Sequence, residues 1–412
     1  MENITQIEQL EKIYIIQPVT EEVSSSARSV HDETISLIES AGAVYAGTIY
    51  QRIREVNPST FIGAGKLAEL RERLDGLDLT ILFNGDLTPS QTLNISAALD
   101  DRKVIDRTTL ILDIFAANAK SSEGKLQVEL AQLKYIYPRL KGKGEALSRL
   151  GGGIGTRGPG ETKLETDRRR IRMRIDVLEE KLRNYKSRRR LVDSRREKEC
   201  ARRISLIGYT NTGKSTLLNL LTGADVYAAD KLFATLDPTT RRLVIDETEF
   251  ILTDTVGFLR DLPHNLIAAF HSTLESALNC DLALIVCDAR DYEMQLSTTL
   301  ATLQELECNV PYLIVMNKSE LLTSFEGYPA DCIFVSAKEN IGIEQLRTRI
   351  FNFFKDTFSE IVLRVPYAQL SAYNKLKKYV TEKEFDYQDE FVEIKARVPK
   401  KHTDKLAPYR VK

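Results

Sequence analysis

Eight residues, Gly208-Tyr209-Thr210-Asn211-Thr212-Gly213-Lys214-Ser215, carry the Gly-x-x-x-x-Gly-Lys-Ser spacing of a loop that cradles phosphate. An apolar run, Ile204-Ser205-Leu206-Ile207, precedes them, and Thr216-Leu217-Leu218-Asn219-Leu220-Leu221 follows with the character of a helix's first turns. Glycines at 208 and 213 let successive backbone N–H groups turn inward around phosphate oxygens, and the helix start adds the positive end of its dipole. Lys214 is then placed to reach β- and γ-phosphates, and the Ser215 hydroxyl to ligate Mg²⁺. A chance glycine-rich turn ending in Lys-Ser needs neither the strand before it nor the helix after it.

Further motifs follow in a fixed order. Phe250-Ile251-Leu252-Thr253 reads as a strand ending in Asp254-Thr255-Val256-Gly257, where Asp254 holds Mg²⁺ through water and the Gly257 N–H meets a γ-phosphate. Between the two motifs, Phe233-Ala234-Thr235-Leu236-Asp237-Pro238-Thr239-Thr240 is the candidate first switch. Thr235 closes it on Mg²⁺ and the γ-phosphate, sharing the metal with Ser215, and phosphate loss releases both this loop and the second switch at Asp254–Gly257. Tyr312–Met316 is a buried strand delivering Asn317-Lys318-Ser319-Glu320. The usual guanine reader at this place is Asn-Lys-x-Asp; Glu320 keeps the carboxylate and adds a methylene, which leaves open how strictly GTP is preferred over ATP. After a further strand, Cys332–Val335, the backbone of Ser336-Ala337-Lys338 would face guanine O6. A lone Asn-Lys or Ser-Ala-Lys is weak, but all of the motifs in order, at the C-terminal ends of strands, define a Ras-like GTPase pattern with GTP as substrate and Mg²⁺ as cofactor. Lys214, Thr235, Asp254 and Gly257 form its catalytic set.

One absence shapes the expected rate. Phe258 follows Gly257 where such enzymes carry the glutamine that orients the attacking water. Phenylalanine cannot hydrogen-bond that water, and missing groups of this kind account for factors of ~10³–10⁵ in rate. Intrinsic hydrolysis should be slow and completed by a partner. Asn211 has two readings of equal weight. It matches a position that binds a monovalent cation in some GTPases with this defect, so K⁺ is one; a hydrogen bond within the loop is the other.

These residues need a scaffold, and 412 residues suffice for two or three domains. Strand-like runs at Ile13–Ile16, Val44–Ile49 and Leu79–Phe83 alternate with helical stretches near Asp32–Ser40, Lys66–Leu74 and Pro89–Leu99. That predicts an α/β unit over residues 1–120 with a mostly parallel sheet. Phe61-Ile62-Gly63-Ala64-Gly65-Lys66 lacks phosphate-loop spacing and reads as a turn into a helix. Residues 121–198 read as an antiparallel helical hairpin, with seams at Leu126, Leu130, Leu133 and Tyr137 and at Leu164, Ile171, Ile175, Leu178, Leu182 and Tyr185. Ordinary core stripes docked elsewhere are the alternative. The GTPase domain occupies 199–356 with a mostly parallel sheet, and 357–412 a small α+β domain of two strands and a helix near Gln369–Tyr379.

The formal charge of −1 conceals an asymmetry. Residues 134–203 hold 23 Lys and Arg against 10 Asp and Glu, a net of +13, leaving −14 for the rest. Glycines crowd the hairpin's joint, Leu150-Gly151-Gly152-Gly153-Ile154-Gly155-Thr156-Arg157-Gly158-Pro159-Gly160, among Lys141, Lys143, Arg149 and Arg157. Bare backbone beside cations suits close approach to phosphates, a shape for probing folded RNA; a flexible linker and a solvated basic helix are the plainer readings. Five cysteines without Cys-x-x-Cys spacing suggest free thiols in a reducing cytoplasm. Neither a membrane span, a secretory signal nor a lipidation signal is expected, and the chain is expected to be a monomer.

The longest motifs point to a family. Asp106-Arg107-Thr108, Gly124–Leu133 and Gly151–Glu165, with Phe233–Asp237 and Asp254–Phe258, resemble the HflX GTPases over nearly the whole chain. The resemblance implies a cytoplasmic GTPase that binds the large ribosomal subunit and its RNA. It also implies insertion of the glycine-rich loop into the peptidyl-transferase region, splitting or rescue of stalled ribosomes under stress, and some turnover of ATP. A reading of a different class stays open: a nucleotide-sensing RNA-binding module, or an assembly factor, with negligible intrinsic hydrolysis.

Overall fold

Strands alternating with helices through the first 120 residues produce a four-stranded sheet, parallel at every pairing, in the order β2-β1-β3-β4. Its elements are β1 (Lys12–Val19), α1 (Ser24–Ser40), β2 (Val44–Arg52), α2 (Ala64–Arg73), β3 (Thr80–Phe83), α3 (Pro89–Ala98), β4 (Val104–Asp106) and α4 (Arg107–Asn118). The structure is a computed structural model. It describes residues 10–19, 24–148, 159–198, 202–224, 232–233, 238–260 and 279–411, with side chains from 24–29, 141–148, 159–164 and 189–198 left aside. The chain divides into two compact units, Met1–Asn184 with 229–237 and 261–271, and Tyr185–Ala228 with 238–260 and 272–412.

In the first unit, Ile16, Ile81 and Phe83 pack with Leu67 and Leu70 of α2 and Ile95 of α3. Phe61 takes a left-handed φ of 64° and Gly63 caps α2, so this glycine-rich run is a turn into a helix, as its sequence predicts. The three-residue β4 escaped sequence reading because it is too short for alternation to register. It delivers Asp106, which caps α4 by accepting from Thr109 N at 3.0 Å. Asp106 also accepts from the Tyr135 hydroxyl and from Arg139 at 3.2 Å, tying the next helix to the sheet.

That helix, α5 (Ser122–Ser148), and α6 (Pro159–Lys198) are the two arms expected of the hairpin. Arg174 forks onto Glu129 at 2.6 and 2.8 Å, Lys134 meets Glu179 at 2.7 Å, and Arg168 lies over the Tyr137 ring. On α6 the expected stripe is the sheltered one: Ile171, Ile175, Leu182 and Tyr185 are half-buried and Leu178 is 0 % exposed. On α5 the stripe is displaced. Val128, Leu130, Ala131 and Tyr135 are buried while Leu126, Leu133 and Tyr137 are only half-buried, because α5 also packs on α3 and α4. Leu164 and the joint at 149–158 lie outside the described residues and side chains.

The second unit is built on a six-stranded sheet of order β10-β9-β8-β5-β7-β6. Its elements are β5 (Arg202–Gly208), α7 (Lys214–Thr222), β6 (Thr239–Ile245), β7 (Thr248–Asp254), β8 (Leu282–Asp288), α8 (Tyr292–Glu305), β9 (Tyr312–Asn317), β10 (Ile333–Phe334) and α9 (Ile343–Lys355). All pairs are parallel except β6 with β7. All seven residues of β8 are buried, as expected for a parallel strand covered on both faces. The β6–β7 hairpin turns on Asp246 and Glu247, both at left-handed φ, where glycine or asparagine is the usual choice. Arg397 over-determines this turn, donating to the Asp246 carbonyl at 3.0 Å and its carboxylate at 2.7 Å.

Arg397 belongs to a three-stranded antiparallel sheet of order β11-β13-β12, made of β11 (Phe358–Pro366), β12 (Thr381–Tyr387) and β13 (Phe391–Pro399). The expectation of two strands and one helix is thus corrected. β12 was missed because its Thr-Glu-Lys-Glu start reads as polar loop. The predicted helix breaks into a short α10 (Leu370–Asn374) flanked by single 3₁₀ turns. Phe250, fully buried against Phe354 of α9 at a centroid distance of 5.4 Å, anchors the larger sheet. Phe250→Ala should destabilise the protein by about 3–5 kcal/mol, read as a lowered urea midpoint by circular dichroism.

Candidate nucleotide site

The phosphate loop leaves β5 at Gly208, whose φ of 149° and tightness against β8 exclude a side chain. A Cβ there would stand 2.2 Å from the Val286 carbonyl oxygen. Gly213 starts α7 with a φ of 87°, and a Cβ would meet the Asn317 amide at 2.3 Å. Just after Gly213, Lys214 is folded back over the loop, 6 % exposed, donating to the carbonyls of Gly208 and Tyr209 at 3.2 and 2.5 Å. Burial pulls its pKa down to about 8, against the pull of nearby Asp254.

Asp254 ends β7 with 0 % exposure, and burial pushes its carboxyl above the usual range. Its Oδ2 accepts from the Ser215 hydroxyl at 2.5 Å, while Oδ1 is buried with no hydrogen-bond partner. A carboxylate oxygen left open beside a serine hydroxyl, above a phosphate loop, is a hard-oxygen donor set of the kind Mg²⁺ takes. These residues therefore fit the metal. No group of three or more His, Cys, Asp or Glu gathered as metal ligands occurs among the described residues.

The phosphate loop and the start of the second switch are zipped together. Phe258 N donates to the Gly208 carbonyl at 3.0 Å and Thr210 N to the Phe258 carbonyl at 2.7 Å. The Tyr209 hydroxyl accepts from Arg260 N at 2.8 Å, and Thr255 donates to the Leu206 carbonyl. Gly257 is pressed on the loop so closely that a Cβ would meet Thr210 Cα at 2.7 Å and Lys214 Nζ at 2.9 Å. Val256 is buried beside them. Phe258 is 1 % exposed and packs with Ile207, Ala283 and Ile285 in the core beneath the loop. The sequence marked Phe258 as unable to orient water; its burial in that core is a fact of packing that the motif does not disclose.

Base-reading residues converge from β9 and the loop after β10. Asn317 donates to the Thr212 carbonyl at 2.7 Å and accepts from Ala337 N at 3.0 Å, stapling three motifs with one amide. Lys318, at a left-handed φ of 61°, donates to the Asn211 carbonyl at 2.9 Å. Ser336 is fully buried and caps Glu339 N at 3.0 Å, whereas Lys338 points outward. Glu320 Oε2 is buried without a partner, an acceptor awaiting donors. Asn211 is exposed, with a φ of 58°. Thr216 is half-buried at the start of α7.

The first switch is described only in part. Ala234, Thr235, Leu236 and Asp237 lie outside the described residues, so the expected Thr235 metal contact has no geometry. Phe233 is buried edge-on to Phe115 at 4.6 Å with its carbonyl accepting from Asn118 at 3.1 Å. The sequence reading missed Asp288. Its place at the C-terminal end of a fully apolar strand was the available signal, because a charge ending such a strand faces the ligand edge of the sheet.

Fold and site together define a P-loop GTPase. Residues 28–116, 118–196 and 203–318 match family profiles described as GTP-binding GTPase N-terminal, GTP-binding GTPase Middle Region and 50S ribosome-binding GTPase. The chain belongs to the HflX family of GTPases and hydrolyses GTP. It is 48% identical over 377 residues to GTPase HflX of Caldanaerobacter subterraneus, covering 89% of this chain and 87% of the relative. It is 41% identical to that of Escherichia coli over 379 residues, 88% of each chain. A GTP-binding protein of Sulfolobus solfataricus solved with GDP aligns at 23% identity and a TM-score of 0.45, over 84% of this chain and 99% of that one.

Two outcomes are expected. Since Lys214 in the free protein titrates near pH 8 and a bound triphosphate raises that pKa, affinity should be full below pH 8. Above it, affinity should fall about tenfold per pH unit, with one proton taken up on binding, measurable by calorimetry in buffers of differing ionisation enthalpy. Phe258→Gln should not accelerate hydrolysis. It should lower stability by about 1–3 kcal/mol through its buried amide, seen in a thermal melt beside single-turnover rates.

Proposed function

We propose that this chain is a GTP-hydrolysing switch that binds the large ribosomal subunit and its RNA, and acts in the cytoplasm in ribosome splitting or rescue under stress. Family membership and the 50S ribosome-binding profile over 203–318 support the partner. The basic hairpin with its glycine-rich joint, one of four domains divided near 120, 198 and 356, supports the mode of contact. No helix among the described residues is long and apolar enough to cross a membrane.

Within the site, the N–H groups of Gly208–Ser215 cradle the phosphates and Lys214 neutralises the β- and γ-oxygens. Ser215 and Thr235 would hold Mg²⁺, with Asp254 as its further partner, and the ion would supply charge neutralisation across the transferring phosphoryl. The Gly257 N–H meets the γ-phosphate, coupling its presence to the second switch. Asn317, Lys318 and Glu320 read guanine, with the Ser336–Lys338 backbone on O6. Asn211 is the proposed K⁺ contact, where the cation would add positive charge beside the phosphates.

One observation carries the dependence on a partner. Phe258 is packed into the core, so its side chain presents no polar atom to orient water. The ribosomal subunit, or K⁺ at Asn211, must complete the site. The GTPase rate measured with and without large subunits, in K⁺ and in Na⁺, tests this: stimulation of about 10-fold or more is expected with subunits in K⁺. No stimulation in either salt would instead support a nucleotide sensor with negligible turnover. Deleting Gly151–Gly160 should leave GTP affinity within about twofold while abolishing subunit separation, and normal separation would remove the hairpin tip from the account.

A further inference from the structure

Asp288 closes β8 as the register partner of Asn317 on β9, and its side chain is 6 % exposed. It serves two cations at once. Arg290 forks onto it, Nε to Oδ1 at 3.0 Å and a terminal nitrogen to Oδ2 at 2.6 Å, and Lys318 Nζ lies 3.1 Å from Oδ2. The backbone around it is held as well: Asp288 N donates to the Gln295 side chain at 2.8 Å and Ala289 N to the Asn317 carbonyl at 2.9 Å. These cations keep the Asp288 carboxyl below the usual range despite its burial.

Close by stands a carboxylate with the opposite fate. Glu320, two residues beyond Lys318, leaves Oε2 buried and unpartnered. Arg290 feels both acids, its basicity raised first by Asp288 and further by Asp291 and Glu320. A guanidinium favours bidentate pairing with whichever carboxylate it can reach, and Arg290 is half-exposed, held by its fork onto Asp288. Were Arg290 to swing to Glu320, its donors would fill the oxygens that a guanine N1–H and exocyclic amino group need.

We propose that Asp288 is a specificity-determining positioning residue: by holding Arg290 and Lys318 it keeps the Glu320 carboxylate unpaired as the acceptor for guanine. This rests on the reading of Glu320 as the base-recognising acid. Adenine offers an acceptor at N1, so it draws no benefit from an open carboxylate and suffers no loss when that carboxylate is taken. Asp288 therefore acts on the ratio of guanine to adenine affinity, and acts through Arg290.

The test measures GDP and ADP affinity of the full chain by competition against a fluorescent GDP analogue, for Asp288→Asn, Arg290→Leu, the double variant and Glu320→Ala. Asp288→Asn should weaken GDP about tenfold while ADP stays within about twofold. Adding Arg290→Leu should restore most of the GDP affinity, since no guanidinium remains to occupy Glu320. Equal losses for both nucleotides, or a double variant no better than Asp288→Asn alone, would mark Asp288 as merely structural and overturn the proposal. If Glu320→Ala leaves the GDP-to-ADP ratio unchanged, the base-reading assignment falls and this inference with it. If Glu320→Ala lowers the ratio and Asp288→Asn does not, the role of Asp288 alone is refuted.

Discussion

Two opposite charges buried at one sheet edge, Lys214 and Asp254, set the terms for the rest of this molecule. Water is nearly excluded from both, and burial moves each toward its neutral form, the lysine downward and the aspartate upward. Their mutual attraction and their local hydrogen bonds, to the loop carbonyls and to Ser215, only partly offset that burden. On the proposed reading, a triphosphate with its divalent cation would supply the missing counter-charges: anionic oxygens for the lysine and a cation for the open Asp254 oxygen. The site is thus left electrostatically incomplete by the fold, and nucleotide completes it.

That incompleteness matters because the surrounding backbone cannot relax around it. Gly208 is wedged on β8, Gly213 on Asn317 and Gly257 on Thr210, so the loop has no room to collapse over the lysine. Asn317 and Lys318 tie the loop to the base-reading strand, and the paired hydrogen bonds of Phe258 tie it to the second switch. Gly257 and Phe258 therefore join the phosphate loop to the second switch by direct backbone contact. Phe258 itself belongs to the core, and its side chain offers no polar group to the site above it.

The resemblance to HflX proteins and the motif order were legible in the chain because phosphate recognition constrains backbone conformation, and backbone conformation constrains residue type at short spacing. The apolar run that becomes β9 was legible as a strand from residue type alone. Elements whose existence depends on their neighbours were not. β4 has three residues and is a strand only because β3 accepts it; β12 is polar and is a strand only because β13 pairs with it. The α5 stripe moved off its expected heptad because α3 and α4 demand part of its face.

The same division runs through the site. Residue identity alone determined that phosphate, magnesium and guanine could be addressed here, since the groups responsible lie within a few residues of one another in each motif. Tertiary packing decided which of those groups are free to act. It buried Lys214 and lowered its basicity, turned Phe258 into the core and left one oxygen of Glu320 open. It also set Asp288, from a strand with no motif of its own, between two cations. Local sequence sets which bonds a side chain can make; only distant neighbours in space determine whether its partners and its water are taken away.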